Sequence, residues 1–255
     1  MVIYMEIGKA ICAIKQRYLQ CIWNHKRNNI YFLMFHEVPL YINQTIHNKN
    51  FSISKDRFFK TIIKLKETGV EFSSLNALFL NEETNVPFVR VAITFDDVYK
   101  SVIDNAVPIL NELNIPFAFF ITNELIDKKN YISSKDIQEL VENPICELGF
   151  HSNNHVGLRD YKDKNEVVKQ IEALNFEKII KRKCEFYAYP YGSVYMCPKD
   201  YRNIVSEKGY IAAFGTVDSG TNNIMLKKNR FYVPRINVNE ENADGLVYRI
   251  SEKRE

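Results

Sequence analysis

Apolar residues recur along this chain in two rhythms. Short continuous runs come first. They are Ile30-Tyr-Phe-Leu-Met-Phe35, Phe88-Val-Arg-Val-Ala-Ile-Thr-Phe95, Pro116-Phe-Ala-Phe-Phe-Ile121, Cys146-Glu-Leu-Gly-Phe150, Glu185-Phe-Tyr-Ala-Tyr189, Tyr210-Ile-Ala-Ala-Phe214 and Phe231-Tyr-Val-Pro-Arg-Ile-Asn-Val238. Each is rich in β-branched, aromatic or small apolar residues, so each predicts a buried strand. Between them, apolar positions three and four apart predict helices over 54–69, 101–113, 134–142, 164–182 and 199–208. Ser54 is placed to cap the first, with Phe58, Phe59, Ile62 and Leu65 facing inward and Gly69 ending it. The stretch 164–182 reads as one long helix with Val167, Ile171, Leu174 and Ile179 inward, and Gly209 stops the last. Val70–Phe72 adds a short strand and Ser73–Phe79 a short helix or turn.

Residues 1–24 form a separate unit. Ile3, Ile7, Ile11, Ile14, Tyr18 and Ile22 share one face of an amphipathic helix, while Lys9, Lys15 and Arg17 face elsewhere. Such a helix either packs on its own domain or lies on a membrane surface. From residue 25 to 255, strands alternate with helices, the pattern of a parallel sheet with crossover helices. Six or seven such units favour a closed or nearly closed α/β barrel in a single domain.

Composition narrows the setting. With 46% apolar and 25% charged residues, the chain fits neither disorder nor a membrane bundle. A net charge of +3 without a long basic run gives no reason to expect nucleic acid, and Lys181-Arg-Lys183 reads as a solvated helix end. The five cysteines at 12, 21, 146, 184 and 197 form no C-x-x-C pair. That excludes a disulfide framework and a cysteine zinc site, and it predicts reduced thiols in a cytoplasmic chain. Glu6, Lys9 and Lys15 interrupt any secretory apolar region, so the expected location is cytoplasmic, peripheral to the inner face of the membrane if residues 1–24 bind lipid.

The chemistry gathers at strand ends, where barrels carry their sites. His36 ends one strand, Asp96 and Asp97 another, and His151 a third. Pro190-Tyr191-Gly192 follows a fourth, and Arg235 lies in the last. Two adjacent carboxylates repel unless their roles differ. One binding a cation and the other taking a proton from the attacking water would divide them. The alternative is a solvated turn or helix cap. His151 and His155, four apart, would share a face of a helical turn and reach one ion. Two histidines and one carboxylate leave a divalent ion with open positions, as catalytic sites do. Of five histidines, His25 and His47 fall in polar, loop-like stretches, which leaves His36 at a strand end.

Thr94-Phe-Asp96-Asp97, His151-Ser-Asn-Asn-His155 and Tyr187-Ala-Tyr-Pro190-Tyr191-Gly192 resemble, in order and spacing, motifs of the polysaccharide deacetylase (NodB-homology) family over about residues 30–238. Phe32-Leu-Met-Phe35-His36-Glu37 resembles the first strand of its poly-N-acetylglucosamine-type exopolysaccharide de-N-acetylase branch. The resemblance implies a distorted (β/α) barrel of about seven parallel strands. It implies Asp96 as general base, Asp97, His151 and His155 as ligands to a divalent metal (usually zinc, with cobalt or nickel as alternatives), and His36 as the acid. The Tyr191 N–H would hold the oxyanion, and Tyr189, Pro190, Tyr191 and Gly192 would meet substrate. Tyr195 and Phe214 are further candidate sugar platforms.

Two positions depart from the family pattern. Val98 stands where glycine is usual, and a β-branched residue resists positive φ. Ala188 stands where many members carry an arginine paired with the base, and Arg235 is the candidate substitute. The implied reaction is metal-dependent hydrolysis of an N-acetyl group from a sugar or glycan, either polymeric, lipid-linked or nucleotide-linked, with acetate released. Rival readings keep the fold but cut a non-sugar amide or cyclic imide, or bind carbohydrate without catalysis.

Overall fold

A computed structural model describes residues 10, 13–18, 28–46, 48–80 and 88–251. Eight parallel strands form one sheet that curls into a barrel, seven of them side by side and the eighth paired on the edge of one of these. Strands β1 (Ile30–Phe35), β2 (Glu71–Phe72), β3 (Arg90–Asp96), β4 (Phe117–Ile121), β5 (Cys146–Phe150), β6 (Phe186–Ala188), β7 (Ala212–Phe214) and β8 (Ile236–Asn237) run in the order β7-β6-β5-β4-β3-β1-β8, with β2 paired to the start of β3. The expected strand 231–238 is split. Val233 bridges Phe214 of β7 in parallel, Pro234 interrupts, and Ile236 then pairs with Leu33 of β1. One segment thus joins both ends of the sheet. Proline has no N–H for a ladder, which is why this last strand is two short pieces.

Alternation along the strands makes two cores. Leu33, Phe35, Val91, Ile93, Phe95, Phe117 and Phe119 face outward onto helices α1 (Lys55–Glu67), α3 (Lys100–Glu112) and α4 (Ser134–Val141). Ile30, Phe32, Ala92, Ala118, Phe120, Phe186, Ala188 and Phe214 fill the barrel interior. Helix α2 (Leu75–Leu80) closes its lower end, stacking Phe79 on Phe32 at 5.9 Å. Glu147 of β5 accepts the N–H groups of Leu75 and Asn76 at 2.6 and 2.8 Å, satisfying the start of α2.

Several expectations are corrected. Phe59 is 42% exposed; α1 turns only Phe58, Thr61, Ile62 and Leu65 inward. Ser54 precedes α1, but its N–H and hydroxyl donate to Glu240 and cap nothing. The long helix 164–182 is two, α5 (Lys164–Ile171) and α6 (Leu174–Ile180), and Leu174 is exposed. The carbonyls freed at the break find other donors: Asn153 bonds Lys169 and Glu172, and the Tyr210 hydroxyl bonds Ile171 at 2.6 Å. Helix α7 (Lys199–Glu207) lies where expected, whereas α8 (Asn223–Lys228) and α9 (Ala243–Ser251) lie where no helix is expected, although in α9 the buried Ala243, Leu246 and Ile250 do recur at spacings of three and four. Of the helix expected over 1–24, residues 13–18 are helical, and Ile14 and Tyr18 are exposed, not packed on the domain; the rest lies outside the described residues, as do Cys12, Cys21, His25 and His47.

Candidate active site

The interior parity that buries Ile30 and Phe32 carries His36 to the top of β1. The same parity carries Thr94 and Asp96 up β3, and Gly149 and His151 up β5. Asp97 breaks it. An extended residue there would point outward, yet Asp97 has φ 60° and Val98 φ 49°. Two consecutive left-handed residues fold the chain back, and the Val98 N–H donates to the Asp96 carbonyl at 2.7 Å. Val98 therefore takes the positive φ that its branching disfavours. Its side chain is fully buried in the outer core, and its carbonyl accepts from Ile132 N–H at 3.0 Å, so packing over-determines the strained backbone.

His151 and His155 do not share a helical turn. Residues 151–155 are a loop in which Ser152 and His155 have φ 74° and 58°. The Ser152 hydroxyl accepts the His155 N–H at 3.0 Å, and Asn154 accepts from the Tyr161 hydroxyl at 2.9 Å. This doubly left-handed loop brings the two rings within 4.9 Å. His151 Nδ1 lies 2.8 Å from the Ala188 carbonyl, which can only accept. The ring proton is thereby fixed on Nδ1, and the Nε2 lone pair faces the cavity. Ala188 thus contributes its backbone to the site, while its side chain belongs to the barrel interior.

The carboxylates divide their surroundings. Asp97 Oδ1 lies 3.3 Å from His155 Nε2 and 3.8 Å from His151 Nε2. It is buried and has no hydrogen-bond partner among the described residues. Donor atoms of Asp97, His151 and His155 all lie within 4.8 Å of one another. A buried carboxylate oxygen beside two imidazole nitrogens, one with its tautomer fixed from behind, fits a divalent cation with positions left open. Asp96 instead meets Arg235, whose Nη1 and Nη2 donate to its two oxygens at 2.6 Å each. Arg235 is fully buried and also bonds the Gly215 carbonyl. Burial pushes the Asp96 carboxyl up, but Arg235 and His151 outweigh it and hold the group down at about 2.

His36 faces this pair from β1. Burial pushes its imidazole down to about 4, against the upward pull of Asp96 and Asp97. Its ring packs on Phe51 with centroids 4.8 Å apart. Tyr191 has φ 60° and is 60% exposed, its ring 5.0 Å from His155. Gly192 follows at φ 50°, and a Cβ there would come within 2.5 Å of Thr216. Tyr189 is buried with its hydroxyl on the Phe231 carbonyl but lines the same cavity as His36 and Tyr191, whereas Phe214 lies inside the barrel and does not. Tyr195 stacks under Arg159.

His36, Asp96, Asp97, His151, His155, Tyr189 and Tyr191 line a cavity of about 390 Å3. Its remaining walls, including Asn48, Phe51, Tyr99, Tyr131 and Thr216, were not anticipated. They lie in or beside loops, where no periodicity marks a residue's direction.

The family model described as polysaccharide deacetylase matches residues 84–213. A poly-beta-1,6-N-acetyl-D-glucosamine N-deacetylase of Staphylococcus aureus (strain MRSA252) is 26% identical over 250 residues, covering 88% of this chain and 84% of the relative. Among solved structures, IcaB from Ammonifex degensii has 21% identity and a TM-score of 0.71 over 88% of this chain and 97% of that one. The Streptococcus pyogenes deacetylase PplD in complex with acetate has 18% identity and a TM-score of 0.74 over 87% and 97%. Both structural likenesses bear on the fold, a curled sheet of parallel strands with helices on its outer face.

Proposed function

Because this chain belongs to the polysaccharide deacetylase family, we propose that it removes the N-acetyl group from an N-acetylated glycan, releasing acetate and leaving a free amine. The observation that carries this reading is the division of the aspartates. Asp97 offers a buried, unpartnered oxygen between two imidazoles, while Asp96 is held ionised by Arg235. The S. aureus relative's name supports poly-β-1,6-N-acetylglucosamine as the substrate class, in exopolysaccharide biosynthesis. Asp97, His151 and His155 would hold a divalent cation, with zinc our first choice. Such a cation supplies Lewis acidity, polarising a carbonyl and easing the ionisation of water.

The chain's own groups then divide the remaining work. Asp96 accepts the proton of the attacking water. The Tyr191 N–H donates to the oxyanion as the acetyl carbon becomes tetrahedral. His36 delivers a proton to the departing nitrogen. At neutral pH the resting site holds Asp96 ionised and His36 neutral, so His36 must first take up a proton to act as the acid. The proton that leaves the water is therefore the one that ends on the amine, passing between two groups that face each other. Arg235 keeps the Asp96 oxygens oriented while that proton comes and goes. Tyr191, the exposed aromatic ring at the rim, is the surface on which a sugar face would rest.

The test pairs two variants. Asp96→Asn is expected to bind zinc as the wild type does and to lose acetate release, while His151→Ala loses both. Acetate release is measured on β-1,6-linked N-acetylglucosamine oligomers, with nucleotide-linked and lipid-linked N-acetyl sugars beside them. Wild-type turnover by Asp96→Asn would remove it as the base. For residues 1–24 we propose peripheral membrane contact, checked by membrane fractionation with and without that segment.

A further inference from the structure

The residue after His36 has no part in the chemistry above, yet it is among the most buried charged groups in the chain. Glu37 is 1% exposed. Strand alternation sends His36 into the barrel and Glu37 the opposite way, toward the segment 46–53. There its carboxylate accepts the Ile46 N–H at 3.0 and 3.1 Å and the Ser52 hydroxyl at 3.2 Å. Its backbone grips the same segment: Glu37 N–H donates to the Phe51 carbonyl at 3.3 Å, and Ile53 N–H donates to the Glu37 carbonyl at 3.1 Å. A carboxylate is tolerated at this depth only because donors satisfy it, and bonds to a charged acceptor are the stronger kind.

What this clamp holds is one wall of the active-site cavity. Between Ile46 and Ser52, a short 3-10 turn over Lys49–Phe51 presents Phe51 against the His36 ring, and Asn48 and Phe51 both line the cavity. Apart from this clamp, the loop from Leu40 to Ile46 is open to solvent, with Leu40, Tyr41 and Ile46 exposed. The segment 40–52 has little core of its own; beyond Glu37 it is tied by Asn237 and Asn239, whose side chains donate to the Asn50 carbonyl at 2.9 Å, and by the Glu240 N–H on the Ser52 carbonyl. Two neighbours in sequence therefore serve one site from opposite faces of a strand end.

We propose that Glu37 is a positioning residue that holds the 46–52 loop against His36, so that Phe51 fixes the imidazole for its task. This rests on the deacetylase reading only for His36's role; the clamp itself can be tested without activity. In Glu37→Ala, hydrogen exchange over 41–52 should quicken on the order of tenfold, matching the loss of bonds to a charged acceptor. Carbethoxylation of His36 by diethyl pyrocarbonate, followed by mass spectrometry, should also quicken. Zinc binding should be unchanged, because its proposed ligands lie in the turn after β3 and the loop after β5. On an N-acetylglucosamine oligomer, kcat should fall with KM little altered. Glu37→Gln, which keeps one acceptor oxygen, should recover part of the protection and part of kcat. Ser52→Ala should show a small change in the same direction, which keeps the test open if Glu37→Ala fails to fold. Exchange and His36 modification equal to wild type in Glu37→Gln and Ser52→Ala, and in any folded Glu37→Ala, would overturn the clamp. Faster exchange with unchanged kcat would overturn its link to His36. Acetate release absent from the wild type would strike the functional reading, and the exchange and modification results would still decide this one.

Discussion

Val98 sits at φ 49° with its side chain fully buried, so the same residue is strained in its backbone and favourable in its packing. A left-handed L-residue costs about 1–2 kcal/mol, which glycine avoids. The usual order of substitutions should therefore reverse here. We expect Val98→Gly to be more stable than Val98→Ala by about 1 kcal/mol in urea unfolding, although both lose the valine's packing. Val98→Ala proving the more stable would show that the turn relaxes once the branched side chain is gone. Arg235 offers a second case. It is fully buried with both Nη atoms on Asp96, so removing it strands a buried carboxylate. Arg235→Met is expected to cost about 3–5 kcal/mol of unfolding free energy. Arg235→Lys should cost less, because it restores a charge without the two-pronged fit. In the sequence Val98 stands out as a departure from the family pattern, and Arg235 as the candidate substitute for the arginine absent at Ala188. Their geometry was not legible there, because Asp96 and Arg235 are 139 positions apart and only barrel closure makes them neighbours.

The longer strands β1, β3 and β4 were legible because each is a short apolar run buried on both faces, a pattern that needs no partner to identify. Helix ends were less so. The break between α5 and α6 depends on Asn153 and Tyr210, far along the chain, supplying donors to freed carbonyls. The histidine loop likewise depends on a left-handed Ser152, which spacing alone cannot reveal. Helix α4 shows an end that is visible locally. Ser133 and Asp136 form a reciprocal capping box, and Asp136 also meets Lys100 at 2.8 Å. Burial pushes the Asp136 carboxyl up, but bonds from Lys100 and Ser133 prevail and hold it below its ordinary value. A carboxyl lowered by folding adds stability above its unfolded pKa of about 3.9 and loses it as pH falls through the folded value. Asp136→Asn should thus be less stable than wild type at pH 7. The gap should narrow as pH drops below about 4, read from urea midpoints across pH. A gap independent of pH would mean that the carboxylate's charge contributes nothing to α4.

At the scale of the molecule, the barrel is filled in layers. Glu147 reaches the plug at the bottom, Gly149 leaves room above it, and His151 emerges at the top, all on the inner face of β5. A Cβ at Gly149 would meet the Phe120 ring at 2.6 Å. Gly149→Ala should therefore cost about 1–3 kcal/mol by overpacking. Because Phe120 sits under Arg235, with the guanidinium 5.2 Å from its ring, affinity for the proposed divalent cation should weaken through the displaced top layer. Unchanged stability would show that the ring moves aside freely. The segment that seals the barrel has a consequence in time. Val233 and Ile236 join β7 to β1, across nearly the whole sequence, and Arg235 lies between them. Contacts so distant along the chain form late, because their closure entropy must be met before they reward it. As a ribosome releases this chain, Asp96 emerges long before its guanidinium. Until the seam closes, the carboxylate cannot be buried without penalty, so an open barrel is also an incompetent one. Turnover in a refolding mixture should then rise with the slowest phase, which makes activity itself the report that the last seam has closed.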